Sequence, residues 1–161
     1  MEDRTTTPLG IDLSRLRRGE ITAVVGALIV ILGLLAPPWY AATGAQLEFT
    51  GAPGGPIPSS FGAWSGAGWL ATLGNLLVLA TALYAIAAAI SGGRGIELDG
   101  SGNWLFGMSV ASIAVVVLRM VFRPTSLDAY HFDTDLRLGI FVTLVGTLAM
   151  AWGAWRRRLR R

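Results

Sequence analysis

The sequence lacks several of the residue types on which common protein functions depend. Its 161 residues include no cysteine, no lysine and a single histidine, His131. The missing thiols exclude disulfides, thiolate zinc sites, iron–sulfur ligation and cysteine nucleophiles. Only 14% of the residues are charged against 53% hydrophobic, whereas soluble domains average about 25% charged residues. This composition argues against a water-soluble globular protein.

The basic residues are all arginines, and most of them lie near the two ends of the chain. Nucleic-acid-binding domains instead carry basic residues along one folded surface. We therefore expect no nucleic-acid partner.

Four apolar segments occupy most of the chain and predict four membrane-spanning helices. A helix needs about 20 residues to cross roughly 30 Å of hydrocarbon, a length that the first and last segments reach only with their flanking residues. The predicted helices cover residues 21–40, 66–90, 104–122 and 138–155. The fold class is therefore an all-α integral membrane four-helix bundle, one domain over residues 1–161, with a basic tail at 156–161.

The positions of the arginines predict the orientation of the chain. Ten of the 13 lie before the first helix, between the second and third, or after the fourth, which is one side for an even number of spans. Positive residues favour the cytoplasmic side, so both termini are predicted to be cytoplasmic, with the chain in the plasma (inner) membrane. An alternative is a secretory signal cleaved near residues 40–45, which would leave three spans.

Tryptophans near the predicted helix ends agree with this arrangement, because indole side chains favour the headgroup level. They are Trp39, Trp64, Trp69, Trp104, Trp152 and Trp155.

Two segments outside the helices have recognisable patterns. Residues 1–20 combine leucines at helical spacing with arginines, which fits a short helix on the inner leaflet that attracts anionic lipid, or an irregular tail. The first outer loop, residues 39–65, is the longest connection, and a loop of this length is often functional. Alternation at 46–50 predicts a short strand or hairpin, followed by turns at 51–58.

Small residues recur every four positions in the predicted helices and favour close helix packing, tightest in the cytoplasmic half. The alternative is that an alanine-rich composition produces the spacing by chance. The residues are Gly19, Ala23 and Ala27 in the first helix, Thr81, Ala85 and Ala89 in the second, Gly107 and Ala111 in the third, and Gly139, Thr143, Thr147 and Ala151 in the fourth.

Arg119 lies inside the third apolar segment and is the main candidate for a functional side chain. An arginine at the centre of a membrane helix costs at least about 2.5 kcal/mol unless it reaches the headgroups or a partner. Arg123 follows four positions later on the same predicted face, where like charges repel, so the pair is expected to need an anion. The alternatives are an internal ion pair, side chains that extend to the lipid headgroups, and a specific site for an anionic lipid or substrate. Asn75 in the second helix is expected to hydrogen-bond a neighbouring helix, and to line an outer-half cavity if it faces Arg119.

The outer loops supply further candidate partners for these arginines. They are Glu48 and Trp64 in the first outer loop and Asp128, His131, Asp133 and Asp135 in the last. The last four are residue types that bind metals, but they lack the spacing of a strong metal site and the nearby arginines satisfy the acids. No metal or cofactor is predicted. The chain also lacks a membrane-embedded acid pair or a nucleophile motif, so the sequence favours a protein that is not an enzyme.

Four spans, cytoplasmic termini, a long first outer loop and Phe61-Gly-Ala-Trp64 before the second helix resemble the claudin/PMP22 tetraspan layout. The chain is also similar to small four-span membrane proteins of high-GC Gram-positive bacteria, a setting that arginine without lysine fits. Claudins carry a cysteine pair in the first loop that this chain lacks, so the resemblance implies no adhesive or paracellular role.

Two functions remain. The first is a non-enzymatic accessory subunit or scaffold that acts through helix faces and the first outer loop, as a homo-oligomer or in a larger membrane complex, with membrane lipids as further partners. The alternative is a lipid- or solute-handling protein that binds an anionic group in an outer-leaflet cavity near Arg119.

Overall fold

The computed structural model describes residues 16–43, 60–64, 68–94, 100–123, 126–127, 130–131 and 133–159, most of which are helical. The helices are α1 (Arg18–Leu35), α2 (Trp69–Gly93), α3 (Ser101–Val121) and α4 (Leu138–Arg158). Each of the four is long and apolar enough to cross a membrane. The four predicted helices are therefore present in the folded chain.

Short strands lie in the connections between the helices. They are β1 (Tyr40–Thr43), β2 (Ser60–Phe61), β3 (Ser126–Leu127), β4 (Tyr130–His131) and β5 (Asp133–Leu136). β1 pairs antiparallel with both β2 and β5, and β3 pairs with β4. Because β5 belongs to the α3–α4 connection, the three-stranded sheet joins two separate connections of the bundle. We call this end the sheet end, and the opposite end, where α1 begins and α4 ends, the terminal end.

The first helix is shorter than predicted. α1 ends at Leu35 rather than at residue 40, and the chain is already extended at Tyr40. Pro37 and Pro38 explain the difference, because proline lacks an amide donor and disfavours helical backbone in the residue before it. The strand predicted at 46–50 lies outside the described residues, whereas β1 begins six residues closer to the helix.

The closest helix contact is between α1 and α4, which pack antiparallel through glycines spaced seven residues apart. A Cβ atom at Gly26 would lie 2.7 Å from the carbonyl oxygen of Gly146, and one at Gly19 would lie 2.9 Å from that of Gly153. Only residues without a Cβ permit backbones to approach this closely. These glycines, here called the glycine seam, are Gly19, Gly26 and Gly33 in α1 and Gly139, Gly146 and Gly153 in α4.

The other helix pairs use different contacts. The helices form a ring in which α1 and α3 each lie between α2 and α4. Between α2 and α3, Ser112 Oγ donates a hydrogen bond of 3.0 Å to Thr81 Oγ1. Between α3 and α4, the rings of Phe106 and Trp155 have centroids 5.5 Å apart.

The predicted small-residue faces are confirmed on α1, α2 and α4 and wrong on α3. Gly107 and Ala111 are exposed, and α3 instead turns Leu105, Ser109 and Ser112 toward the bundle. The glycine seam also runs from the terminal end to the sheet end, so close packing is not confined to one half. The predicted residues that are buried are Gly19, Ala23, Ala27, Thr81, Ala85, Ala89, Gly139, Thr143 and Thr147, with Ala151 half-buried.

Candidate functional site

Arg119 lies in the last turn of α3 and points into the sheet end, where only 8% of its surface is exposed. Its Nε donates to the hydroxyl oxygen of Tyr40 over 3.1 Å, and its Nη2 donates to the carbonyl oxygen of Ala63 over 3.3 Å. The Tyr40 hydroxyl in turn donates to the carbonyl oxygen of Arg119 over 2.9 Å. One side chain thus joins α3 to strand β1 and to the segment that follows β2.

Aromatic rings surround the guanidinium group. Its central carbon lies 5.6 Å from the ring centroids of both Trp39 and Tyr40. Ring faces carry negative potential and attract a cation, with a stronger effect away from water. Within the described residues no carboxylate pairs with Arg119, so these rings and the carbonyl of Ala63 provide the compensating potential.

Trp39 is fully buried, with its Nε1 donating to the carbonyl oxygen of Gly33 over 2.8 Å. Its backbone is held by two further hydrogen bonds of 2.8 Å. The amide of Trp39 donates to the carbonyl oxygen of Phe61, and the carbonyl oxygen of Trp39 accepts from the amide of Arg137. The prediction of a headgroup position is therefore wrong for Trp39. The other five tryptophans are exposed.

Asn75 of α2 is fully buried and meets Arg119 at one carbonyl group. Its Nδ2 donates to the carbonyl oxygen of Ala63 over 2.7 Å, the same oxygen that accepts from Arg119. Asn75 was predicted to hydrogen-bond a neighbouring helix, but its partner is the backbone of Ala63 in the connection after β2. The side chains of Asn75 and Arg119 meet at this carbonyl group. We call Trp39, Tyr40, Ala63, Asn75 and Arg119 the arginine anchor.

Two polar atoms of the arginine anchor have no hydrogen-bond partner in the described structure. They are Nη1 of Arg119 and Oδ1 of Asn75, a donor and an acceptor, and both are buried. Buried polar atoms are nearly always paired with protein or with ordered water. This donor and this acceptor belong to the two side chains that share the carbonyl oxygen of Ala63.

Arg119 and Arg123 do not lie on one helical face, as the sequence spacing predicted. α3 ends at Val121, and Phe122 has a non-helical backbone with φ −92° and ψ 77°. Arg123 therefore leaves the helical face on which spacing placed it, is exposed, and donates from Nε to the carbonyl oxygen of Met120 over 3.4 Å. The predicted common helix face is wrong because the spacing assumed helical backbone through Arg123, two residues beyond the observed end of α3. Binding of an anion by the two arginines stays a prediction.

The loop candidates are distributed along the sheet end. Trp64 is partly exposed and lines a surface cleft with the α1–β1 connection, and Asp135 is exposed on β5. His131 and Asp133 belong to β4 and β5, but their side chains lie outside the described part of the chain. Glu48 and Asp128 lie outside it entirely, so partnership of these four with an arginine stays a prediction.

A second polar cluster occupies the terminal end, centred on Glu20. Its Oε1 lies 3.5 Å from Nη1 of Arg157 on α4, and its Oε2 accepts from the amide of Arg17 over 3.1 Å. The same carboxylate abuts Gly92 of α2, where a Cβ would lie 3.2 Å from Oε1. Sequence reasoning missed this residue, although a lone acid in the first turn of a helix preceded by arginines was a usable signal.

No protein-family model, curated protein or solved structure matches this chain. The resemblance to the claudin/PMP22 layout therefore stays a prediction.

Proposed function

We propose that this chain is a four-span protein of the plasma membrane, with both termini in the cytoplasm, that acts as a non-enzymatic accessory subunit or scaffold. In this proposal the sheet end faces the outside and contacts a partner, either a second copy or another membrane protein. The helix faces contribute to the same assembly.

The arginine anchor is the observation that carries this proposal. Its hydrogen bonds connect α2, α3, β1 and the segment after β2, while β1 itself pairs with β5. The described strands of both connections, β1, β2 and β5, are thereby held in position relative to the helices. Pre-organised surfaces bind with less loss of conformational entropy, which is what a docking platform requires.

The chemistry of the described groups also favours binding over catalysis. The arginine anchor consists of a guanidinium, a phenol, an indole, an amide and a carbonyl, and their bonds hold backbone segments together. Within the described residues it includes no nucleophile aligned with a base, which is the arrangement that covalent catalysis needs.

Large apolar side chains on the helix exteriors support placement in a bilayer. The exposed residues of this kind include Leu28 and Leu32 on α1, Leu73, Leu76 and Leu83 on α2, Val117 and Leu118 on α3, and Val145 and Leu148 on α4. Extended apolar surface of this kind marks contact with lipid or with another protein. The arginine clusters at the terminal end support the cytoplasmic assignment of that end.

The absence of cysteine makes the membrane topology directly testable. Ser60→Cys introduces a single thiol at an exposed position of the sheet end, and Leu159→Cys does so at the terminal end. We expect a membrane-impermeant maleimide to label Ser60→Cys in intact cells, and Leu159→Cys only after permeabilisation. Labelling of Leu159→Cys in intact cells would contradict the proposed orientation.

Assembly through the sheet end is tested by photo-crosslinking in native membranes. A photoreactive residue at Trp64 should form one discrete adduct, with twice the monomer mass for a self-assembling scaffold or another fixed mass for an accessory subunit. Tyr40→Phe, which loosens the arginine anchor, should weaken this adduct. A photoreactive residue at exposed Trp104 of the terminal end is the control. Absence of a discrete adduct from Trp64, with a monomer in native mass spectrometry, would overturn the proposal.

One observation favours the alternative function, binding of an anionic group near Arg119. The buried Nη1 atom has no partner in the described structure, and an anion would satisfy it. If a lipid or solute anion binds there, Arg119→Lys should retain it in native mass spectra and Arg119→Met should lose it. If Arg119 is structural, neither substitution removes a bound anion.

A further inference from the structure

The start of α1 and the end of α4 form a cleft lined almost entirely by arginine. Its lining residues, here called the arginine cleft, are Arg17, Arg18, Gly19, Arg156 and Arg157. The cleft lies at the terminal end, where Gly19 and Gly153 bring the two helix backbones into contact. Four cationic side chains from opposite ends of the sequence are therefore held together by the close packing of the two helices and by the ion pair of Glu20 with Arg157.

Arg18 and Arg156 are exposed on the lining of the cleft and give it a positive potential toward solvent. Glu20 contacts Arg157, but it approaches from the bundle interior and is not among the residues that line the cleft. The cleft also lies at the N-terminus of α1, which carries the positive end of the helix dipole. The arginine side chains and the helix N-terminus together define a site for an anion with several oxygen acceptors, such as a phosphate group.

The surroundings of the arginine cleft identify the source of that phosphate. The guanidinium carbon of Arg156 lies 5.2 Å from the ring centroid of Trp152, and this tryptophan is exposed on the outside of α4. Leu159, the residue that follows the end of α4, is also exposed. Tryptophan favours the headgroup level of a bilayer, so an acyl chain would pass these apolar side chains while its phosphate enters the cleft.

We propose that the arginine cleft binds the phosphate of an anionic phospholipid of the inner leaflet. Basic pockets between membrane helices on the cytoplasmic side are suited to such headgroups. The site rests on the proposed membrane placement of the chain. It differs from the arginine anchor in position and in residues, and it gives the two ends of the sequence a common ligand.

Native mass spectrometry of the full chain, taken from vesicles of phosphatidylcholine and phosphatidylglycerol into mild detergent, tests this site. The wild-type protein should retain phosphatidylglycerol in preference to phosphatidylcholine. Arg18→Gln with Arg156→Gln should reduce that retention by more than about tenfold, because both guanidinium groups line the cleft and would make charge-assisted hydrogen bonds to the phosphate. Arg94→Gln with Arg158→Gln is the matched control, since it removes two exposed arginines at the same end that do not line the cleft.

Three results would overturn the proposal. The first is equal loss of phosphatidylglycerol in the cleft and control variants, which indicates general charge attraction only. The second is unchanged retention in the cleft variant, or in Arg156→Gln alone if the double variant does not fold. The third is displacement of the lipid by inorganic phosphate at equal concentration, which indicates a site for free phosphate. The lipid measurement uses purified protein, so its failure is distinguishable from a failed topology or cross-linking result.

Discussion

Tyr40 and Arg119 exchange two hydrogen bonds although they lie 79 residues apart in the sequence. The phenol accepts from the guanidinium Nε and donates to the backbone carbonyl of the same residue. That carbonyl belongs to the last turn of α3, where helix carbonyls have no partner within the helix. Tyr40 therefore caps α3 while Arg119 fixes β1, so each element positions the other.

Tyr40→Phe should destabilise the protein at the sheet end. The substitution keeps the ring but leaves Nε and the carbonyl of Arg119 without their partner, and a buried unsatisfied group costs about 1–3 kcal/mol. We expect a lower thermal unfolding midpoint in detergent. Tyr84→Phe is the matched control, because Tyr84 is partly buried on α2 and makes no such exchange. Equal midpoints for the two variants would contradict this role of Tyr40.

Arg119→Lys should destabilise the protein more than Arg119→Met does. Lysine keeps the charge, but its ammonium is compact and strongly hydrated and cannot match the planar guanidinium between two rings. Hydrogen bonds to charged groups contribute roughly 1.5–3 kcal/mol, and a buried charge without them is costly, whereas methionine leaves no charge behind. Thermal unfolding of both variants measures the order. The reverse order would show that the charge itself, rather than the shape of arginine, stabilises the site.

Helix number and approximate position were predictable because long apolar segments are a strong local signal. The ends of helices were less predictable. Pro37 and Pro38 carry the signal that α1 stops early, and Pro124 carries a similar signal for α3, which ends at Val121. The four-residue spacing nevertheless treated Arg123 as helical, which is why Arg123 was placed on the same face as Arg119.

How well the buried helix faces were predicted depended on the residue interval. Intervals of four residues identified the buried sides of α1, α2 and α4 but missed the seven-residue interval of the glycine seam. On α3 the small residues at positions 107 and 111 are exposed, because small size permits close contact but does not create it.

Gly26→Ala should lower stability, while Gly107→Ala should not. A Cβ at Gly26 would lie 2.7 Å from backbone atoms of Gly146 and Met150, so α1 and α4 must move apart, which costs on the order of 1–3 kcal/mol. Gly107 has open space around its Cβ position, and alanine there gains up to about 1 kcal/mol of helix propensity. Unfolding midpoints measured side by side test the pair. A neutral effect of Gly26→Ala would show that the helices separate easily.

A disulfide should form between Ala41→Cys and Asp135→Cys. These residues lie opposite each other in the antiparallel β1–β5 pair. Such partners have Cα atoms about 4.5–5.5 Å apart, which is within the range that a disulfide spans. Mild oxidation should give a compact species on a non-reducing gel. Ala41→Cys with Arg137→Cys, two residues out of register, is the control, and equal cross-linking of both pairs would contradict the register.

Glu20 and Arg157 should show energetic coupling in a double-mutant cycle. Glu20→Gln leaves Arg157 beside other arginines without its carboxylate partner, so the midpoint should fall. Adding Arg157→Gln should then restore part of the loss, because neighbouring groups that interact are not additive. The coupling should change little at high salt, because the two side chains are only 10% and 8% exposed and buried pairs are screened weakly. Strict additivity of the two substitutions would contradict the ion pair.

The candidate site was predictable only in part. An arginine and an asparagine are conspicuous in the sequence of apolar helices, and the side chains of Asn75 and Arg119 do bind the same group. Their common acceptor is a backbone carbonyl at Ala63, which no residue type signals. Trp39 resembled the other helix-end tryptophans, and only the fold distinguishes a core indole from one at the surface.

The contact between α1 and α4 has a consequence for biosynthesis. α1 obtains its most extensive partner only after α4 has been translated, because α2 and α3 lie between them in the sequence. Until then the glycines of α1 have no α4 backbone to pack against. A chain truncated before α4 should therefore leave this side of α1 without the partner that it fits.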